Sequence, residues 1–280
     1  MKVLISGATG HLGSKLIDKI SKNFSKIEIT LIYNNKKRLN KINKKNIIKK
    51  IHFPLSNSLN GLKKNNLNFE EFDIFIHLAW PDLDNYNSDN HKNIGYVGSK
   101  KLIKFMLERG LKRILVTGTC FEYGDNIEGK INSGLIGNPV KNQYAYSKNK
   151  LRNWLFKQQN KHKFIINWVV IFYLIDSDLN YNDNILSNYL NHVKKNKLFE
   201  INNPFYAHDF ILADKVIEKL ILIMKNKKIN GIINVGSGKI KQIHELLNHY
   251  KKIFKVKKNI VFYRNSKSIN KYFWSDNNFI

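Results

Sequence analysis

One cysteine, Cys120, in 280 residues excludes a disulfide framework and any cysteine-rich metal site, and makes a reducing compartment, the cytoplasm by default, the expectation. The histidines are scattered singly, without the i, i+4 pairing of a zinc helix, so no metal is expected. Only four prolines are present and no Gly/Ser-rich stretch, so nothing reads as a linker between separate domains. Long apolar runs are missing as well. The longest, Ile165 to Ile175, is about half of the roughly 20 residues that a membrane helix requires, so it reads as a buried strand and no membrane partner is expected. The first residues, MKVLISGATG, run from a short strand into a glycine turn and lack the apolar core and cleavage site of a secretory signal.

Acidic side chains are scarce: 21 Asp plus Glu stand against 48 Lys plus Arg, for a formal charge of +27. With 42% hydrophobic and 12% aromatic residues the chain can bury a core and is not a disordered polycation. Such a charge invites a nucleic-acid reading, because lysines that neutralise phosphates release counterions. The excess is nearly all lysine, however, and it accompanies abundant Asn and Ile along the whole chain, as an AT-rich coding bias would produce. No basic run is interleaved with aromatics as in a single-strand groove. A solvated surface is therefore favoured over a nucleic-acid partner.

Strand-like and helix-like segments alternate from the start. Lys2–Ser6, Ile27–Tyr33, Ile47–Phe53, Phe72–Ala79, Arg113–Thr117 and Phe164–Phe172 read as strands; 10–23, 90–108 and 143–159 read as helices. That rhythm predicts an α/β fold, a doubly wound parallel sheet of Rossmann type covered on both faces. After residue 172 the rhythm changes to an Asn-rich loop, a helix near 185–195, a short strand around Phe199, a helix at 212–224 and the turn Val235-Gly236-Ser237-Gly238. A dinucleotide-binding domain at 1–172 and a smaller, interwoven C-terminal α/β substrate lobe at 173–280 are predicted.

Gly7-Ala8-Thr9-Gly10-His11-Leu12-Gly13 joins the first strand to the first helix, where glycines let backbone amides approach a pyrophosphate at the positive end of the helix dipole. The second strand ends Tyr33-Asn34, followed by Asn35, Lys36, Lys37 and Arg38. No carboxylate is there to take the 2′-hydroxyl of NAD, and the cations suit the 2′-phosphate of NADP. If they are plain surface lysines, NAD remains possible.

Tyr144-Ala145-Tyr146-Ser147-Lys148 sets a phenol and an ammonium four residues apart, on one face of a helix. A nearby cation is expected to lower the phenol pKa toward proton exchange with a carbonyl. A second pair, Tyr146 and Lys150, overlaps it. Upstream, Thr117-Gly118-Thr119-Cys120-Phe121-Glu122-Tyr123-Gly124 follows a strand, where an open α/β sheet places ligand contacts.

Together with Asp73–Ala79, Asn93, His208-Asp209-Phe210-Ile211, Asp214 and Asn234–Gly238, these motifs resemble the extended short-chain dehydrogenase/reductase family, the NAD(P)-dependent epimerases, dehydratases and reductases of nucleotide sugars. The resemblance covers most of the chain, and its Tyr-x-x-Ser-Lys form selects Tyr144 and Lys148 over the overlapping pair. It implies Thr119, Tyr144 and Lys148 as catalytic residues. Lys148 would bind the nicotinamide ribose and lower the Tyr144 pKa, Tyr144 would exchange the proton with the sugar oxygen, and Thr119 would hydrogen-bond that oxygen. Gly7, Thr9, Gly10, His11, Leu12, Gly13, Asn34, Lys36, Lys37, Arg38, Leu78 and Ala79 would join Tyr144 and Lys148 in holding the cofactor. Trp80, Thr119, Cys120, Phe121 and Tyr144 would meet the substrate. A homodimer through the helices at 93–108 and 143–159 is implied as well.

The departures narrow the reaction. Family dehydratases carry an Asp-Glu pair directly after the threonine; here Cys120 and Phe121 stand there, and Glu122 lies one residue further on. Cys120 sits three residues before Tyr123, not two as in fucose-synthase-like enzymes, and reads as a small buried residue. The adenine-contacting Asp after the third strand has no counterpart in His52–Ser56, the arginine of the sixth strand is Val170, and Ile175-Asp176-Ser177 replaces a Tyr-Gly-Pro turn. Leu78-Ala79-Trp80-Pro81 and Tyr272–Asp276 are similar to the branch that reduces dTDP-4-keto-6-deoxyhexoses. The expectation is NAD(P)H-dependent reduction of the 4-keto group of a nucleotide-diphosphate 4-keto-6-deoxy sugar in surface-polysaccharide synthesis. A nucleotide-sugar C4 epimerase and a Rossmann-fold RNA-binding or regulatory protein are the alternatives.

Overall fold

The computed structural model describes residues 1–39, 42, 44–56, 58–124, 127–135, 137–139, 142–177, 184–201, 203–256, 261–263 and 272–277. Seven strands form its main sheet: β1 Lys2–Ser6, β2 Glu28–Tyr33, β3 Ile47–His52, β4 Ile74–His77, β5 Arg113–Thr119, β6 Ile165–Ile171 and β7 Gly231–Val235. They lie in the order β7-β6-β5-β4-β1-β2-β3, and the pairs from β3 through β5 run parallel. This is the doubly wound arrangement, with its topological switch beside β1, where ligands bind outside the carboxyl ends of the strands. Strands of such a sheet face apolar layers on both sides and so read as continuous runs. Every residue of β4 and β5 is buried. β7 is an addition to the sequence reading, which took its end for a turn.

The principal helices are α1 His11–Asn23, α2 Val97–Leu107, α3 Gln143–Gln158, α4 Ile185–Lys194, α5 Ala213–Lys225 and α6 Ile243–Ile253. α1 buries Gly13, Leu16, Ile17 and Ile20, the 3.6-residue stripe that faces it onto the sheet. α2 is entered through a wider π turn, His91–Tyr96, where a Cβ on Gly95 would come within 2.8 Å of the Trp80 ring. At the far end of β5, Arg113 is 2% exposed and donates to the carbonyl oxygens of Ile223, Met224 and Asn226, satisfying the open end of α5.

The chain divides into two compact units. The first comprises 1–125, 136–170 and 217–233, the second 126–135, 171–216 and 234–280. Against a single cut after residue 172, the segment 126–135 falls in the second unit and 217–233 in the first. The second unit has its own apolar cluster, with Leu186, Tyr189, Leu246 and Leu247 at its centre. Asp209 organises the remainder. Its Oδ1 accepts from the Ser237 amide and hydroxyl at 2.6 Å each, and its Oδ2 from the Gly238 amide at 3.1 Å and the Ser275 amide and hydroxyl at 2.9 Å each. Gly236 is required there, since a Cβ would strike Asp209 and Ser275. Among the described residues no helix is long and apolar enough to cross a membrane, and no group of three His, Cys, Asp or Glu side chains could hold a metal ion.

Candidate active site

The carboxyl end of β5 leads through Thr119 into a 3-10 turn, Cys120–Tyr123. Thr119 and Glu122 close that turn as a capping box: the threonine hydroxyl accepts from the Phe121 amide, and Glu122 Oε1 accepts from the Thr119 amide at 2.8 Å. α3 opens beside it, capped by Asn142, whose Oδ1 accepts from the Ala145 amide at 2.9 Å. From that start Tyr144, Lys148 and Arg152 recur every four residues on one helix face. The overlapping Tyr146 is exposed, with Lys150 Nζ 4.8 Å from its ring centre, so that pair lies outside the site.

Lys148 is 2% exposed; its Nζ donates to the Thr117 carbonyl at 2.6 Å and lies 3.9 Å from the centre of the Trp80 ring. Trp80 is held in turn, its indole N–H donating to His91 Nδ1 at 3.0 Å while His91 Nε2 lies 2.8 Å from the Asn85 carbonyl. Those partners assign His91 the tautomer protonated at Nε2. Tyr144 stacks on Tyr86 at 5.3 Å and meets Trp80 edge-on at 6.2 Å, and its phenol shares a hydrogen bond with Thr119. Phe121 packs against Tyr86 at 5.5 Å, and Cys120 is buried.

The expected lowering of the Tyr144 pKa by Lys148 is not what the geometry gives. Burial first, then the neighbouring Tyr86 and Glu122, raise the phenol well above its ordinary value, against a lowering by the Thr119 hydrogen bond. The lysine is turned to a backbone carbonyl and an indole face, with its ammonium 6.0 Å from the Tyr144 ring centre. Tyr144 therefore stays protonated at neutral pH, as a proton donor must.

Glu122, Arg152 and Trp168 complete this wall behind the threonine. The Glu122 side chain has no exposed surface, Arg152 Nη1 stands 3.4 Å from its Oε2, and the Trp168 indole donates to that oxygen at 3.2 Å. Neither Glu122 nor Arg152 was singled out from the sequence as a site residue. Signals existed: Thr119-Cys120-Phe121-Glu122 fits the S/T-x-x-E pattern of a capping box, and Arg152 continues the four-residue spacing of Tyr144 and Lys148. His77 is buried between the Ser6 hydroxyl at 2.6 Å and the Ser99 hydroxyl at 2.8 Å.

The glycine turn lies at the end of β1. Gly7 has φ +74°, and a Cβ there would come within 2.5 Å of the Ala79 amide nitrogen; a Cβ on Gly13 would strike the Gly7 carbonyl. The Gly10 amide closes the turn on Gly7 O at 2.9 Å, and no side chain caps α1 at Gly10. A helix start without a side-chain cap, behind a bare backbone cradle, fits the pyrophosphate of a dinucleotide. Thr9, His11, Leu12, Leu78 and Ala79 are half-buried around that turn. Asn34, Lys36, Lys37 and Arg38 are exposed on and before a single helical turn, Lys36–Leu39, where the Arg38 amide donates to Asn35 Oδ1.

A doubly wound sheet with this cradle at β1 and a Tyr–Lys helix beside β5 is the frame of a dinucleotide-dependent protein. The chain belongs to the NAD dependent epimerase/dehydratase family, whose model matches residues 3–236. UDP-glucuronic acid decarboxylase 6 of Arabidopsis thaliana is 25% identical over 264 residues, 91% of this chain and 75% of the relative. Among solved structures, a UDP-N-acetylglucosamine 4-epimerase from Methanobrevibacter ruminantium superposes with a TM-score of 0.81 at 20% identity, covering 98% of this chain and 89% of that one. A dTDP-glucose 4,6-dehydratase from Bacillus anthracis, solved in complex with NAD, superposes with a TM-score of 0.81 at 11% identity, covering 99% and 87%.

Proposed function

We propose that the protein is an NAD(P)H-dependent reductase of the 4-keto group of a nucleotide-diphosphate 4-keto-6-deoxy sugar, acting in surface-polysaccharide synthesis. The observation that carries this reading is the identity of the two residues after Thr119. Cys120 is buried and Phe121 packs on Tyr86, so no carboxylic acid and base stand where water would be removed from a sugar. The proton donor left on this wall is Tyr144, hydrogen-bonded to Thr119.

When bound, a nicotinamide dinucleotide supplies the hydride. Gly7, Gly10 and Gly13 admit its pyrophosphate against the start of α1, and Lys36, Lys37 and Arg38 provide cations for a 2′-phosphate, which makes NADPH the preferred donor and NADH the second. Thr119 and Tyr144 together grip the sugar carbonyl oxygen, and Tyr144 gives up its phenolic proton to that oxygen as negative charge develops. Lys148, as an ammonium, binds the ribose hydroxyls. Trp80 and Phe121 line the substrate side.

The test is a panel of 4-keto nucleotide sugars with NADPH or NADH, followed by loss of cofactor absorbance. Turnover that disappears in Tyr144→Phe supports the reading; none across the panel removes it. The 4-epimerase among the similar solved structures supports a second reading, a nucleotide-sugar C4 epimerase. It predicts conversion of UDP-hexoses with no added cofactor, and including UDP-glucuronic acid detects a decarboxylase by its carbon dioxide. A Rossmann-fold RNA-binding protein without turnover would instead show salt-sensitive RNA retention. The reading also carries a homodimer through α2 and α3, where Val97 and Tyr146 are exposed; a sedimentation mass of one chain removes it.

A further inference from the structure

Glu122 is fully buried, and the reaction as proposed makes no use of it. Its Oε1 accepts from the Thr119 amide, and its Oε2 receives the Trp168 indole and faces Arg152. Lys148 donates to the Thr117 carbonyl. On an extended strand, residues i and i+2 present their backbone groups along the same edge. Lys148 and Glu122 therefore grip the same edge of β5, on either side of Gly118. A Cβ on Gly118 would lie 2.5 Å from Glu122 Oε1, so it is the glycine that lets the carboxylate close on the strand.

We infer that Glu122 is a positioning residue of the reaction: its carboxylate is the buried counter-charge that keeps the Lys148 ammonium charged, while fixing the Thr119 amide. The inference rests on the role given to Lys148 above. A dehydrated ammonium is held against the cost of burial by an opposite charge close by in a low dielectric. The other groups that face this pair cannot replace Glu122. Arg152 carries the same sign as Lys148, Tyr144 is a neutral phenol, and His77 and His91 are kept neutral chiefly by burial. Burial pulls the Lys148 ammonium down to about 7 and the attraction of Glu122 pushes it back up; burial pushes Glu122 up to about 7, opposed first by Arg152. Glu122 stands outside the tyrosine–lysine motif and one residue beyond the two places a dehydratase uses.

The test is NMR on the full chain carrying ¹³C-labelled lysine and glutamate, with the Lys148 signal assigned by its absence in Lys148→Met. In the unaltered protein the Lys148 signal is expected to respond at the pH where Glu122 titrates, and the Glu122 signal where Lys148 titrates, because interacting groups titrate as a pair. In Glu122→Gln, which keeps an acceptor for the Thr119 amide, the Lys148 midpoint is expected to fall by about one unit or more. The alkaline limb of turnover should move to lower pH with it, and Glu122→Asp should restore both. A folded Glu122→Gln with an unmoved Lys148 midpoint overturns the inference. So does a Lys148 signal that shows no response as Glu122 titrates in the unaltered protein, a result that needs no variant to fold. Because the NMR needs no substrate, mutual responses without turnover would leave this inference standing and remove the reductase reading alone.

Discussion

Lys148, Arg152 and Glu122 are at most 3% exposed and held by named partners, whereas Lys36, Lys37 and Arg38 stand in water on one short turn. Both sets are charged, and Lys148 of the first was expected to face the same cofactor as the whole of the second. A buried cation must have its partners built in, because leaving it uncompensated costs several kcal/mol. Its neighbours therefore report what it does before any ligand arrives. An exposed cation needs no partner, and the structure around it is indifferent to whether a phosphate ever binds.

The widest separation of the two regions comes from Tyr144→Phe. Removing the one proton donor of the buried wall should lower kcat roughly 10²- to 10⁴-fold, while NADPH affinity, measured by fluorescence, stays within a factor of two or so. Equal losses in both would erase the contrast. Gly118→Ala is the next largest: forcing a methyl group between β5 and the Glu122 carboxylate should destabilise the protein by about 1–3 kcal/mol, read as a lowered midpoint in urea. The corresponding insertion at exposed Lys36, Lys36→Arg, should leave that midpoint unmoved.

The third prediction concerns pH. Burial holds His77 neutral when folded, its pKa lowered to about 3, while the unfolded chain takes up that proton near the ordinary value of about 6.5. The unfolded state thus binds more protons between those values, so the contribution of His77 is intact above pH about 6.5 and is lost as pH falls. His77→Gln should be less stable at pH 7 but lose less stability between pH 7 and 5 than the unaltered protein. Parallel slopes in urea titrations would disprove the assignment. The smallest effect belongs to the exposed turn: Arg38→Ala should weaken NADPH about fivefold or less, as expected of a solvated ion pair, with NADH unaffected. A loss for both cofactors would mean that Arg38 is no reader of the 2′-phosphate.

The alternation of strands and helices through β6 was legible because a sheet buried on both faces needs unbroken apolar runs, and Val3 to Ile5 or Ile114 to Val116 leave little else to read. The glycine cradle was legible because Gly7 adopts a backbone angle that favours glycine and Gly13 has no room for a side chain. β7 was missed because Ile232-Ile233-Asn234-Val235 runs directly into a glycine turn that resembles a loop. α6 was passed over because its apolar positions, Ile243, Leu246 and Leu247, sit among polar ones. In the site, Tyr144 and Lys148 could be paired by spacing alone. That Lys148 would turn to Thr117 and Trp80, leaving the phenol pKa high, depends on where β4 and β5 place those groups, and no local pattern encodes it.

Asp209 has a consequence for how the chain matures. Its five donors come from residue 237, residue 238 and residue 275, so the carboxylate, fully buried in the finished structure, acquires its last two only when the chain has closed a loop of 66 residues. Such a high-separation contact is slow to form, since loop entropy is lost before the contact compensates it. Until Ser275 has been made, the carboxylate has at most the three donors of Ser237 and Gly238.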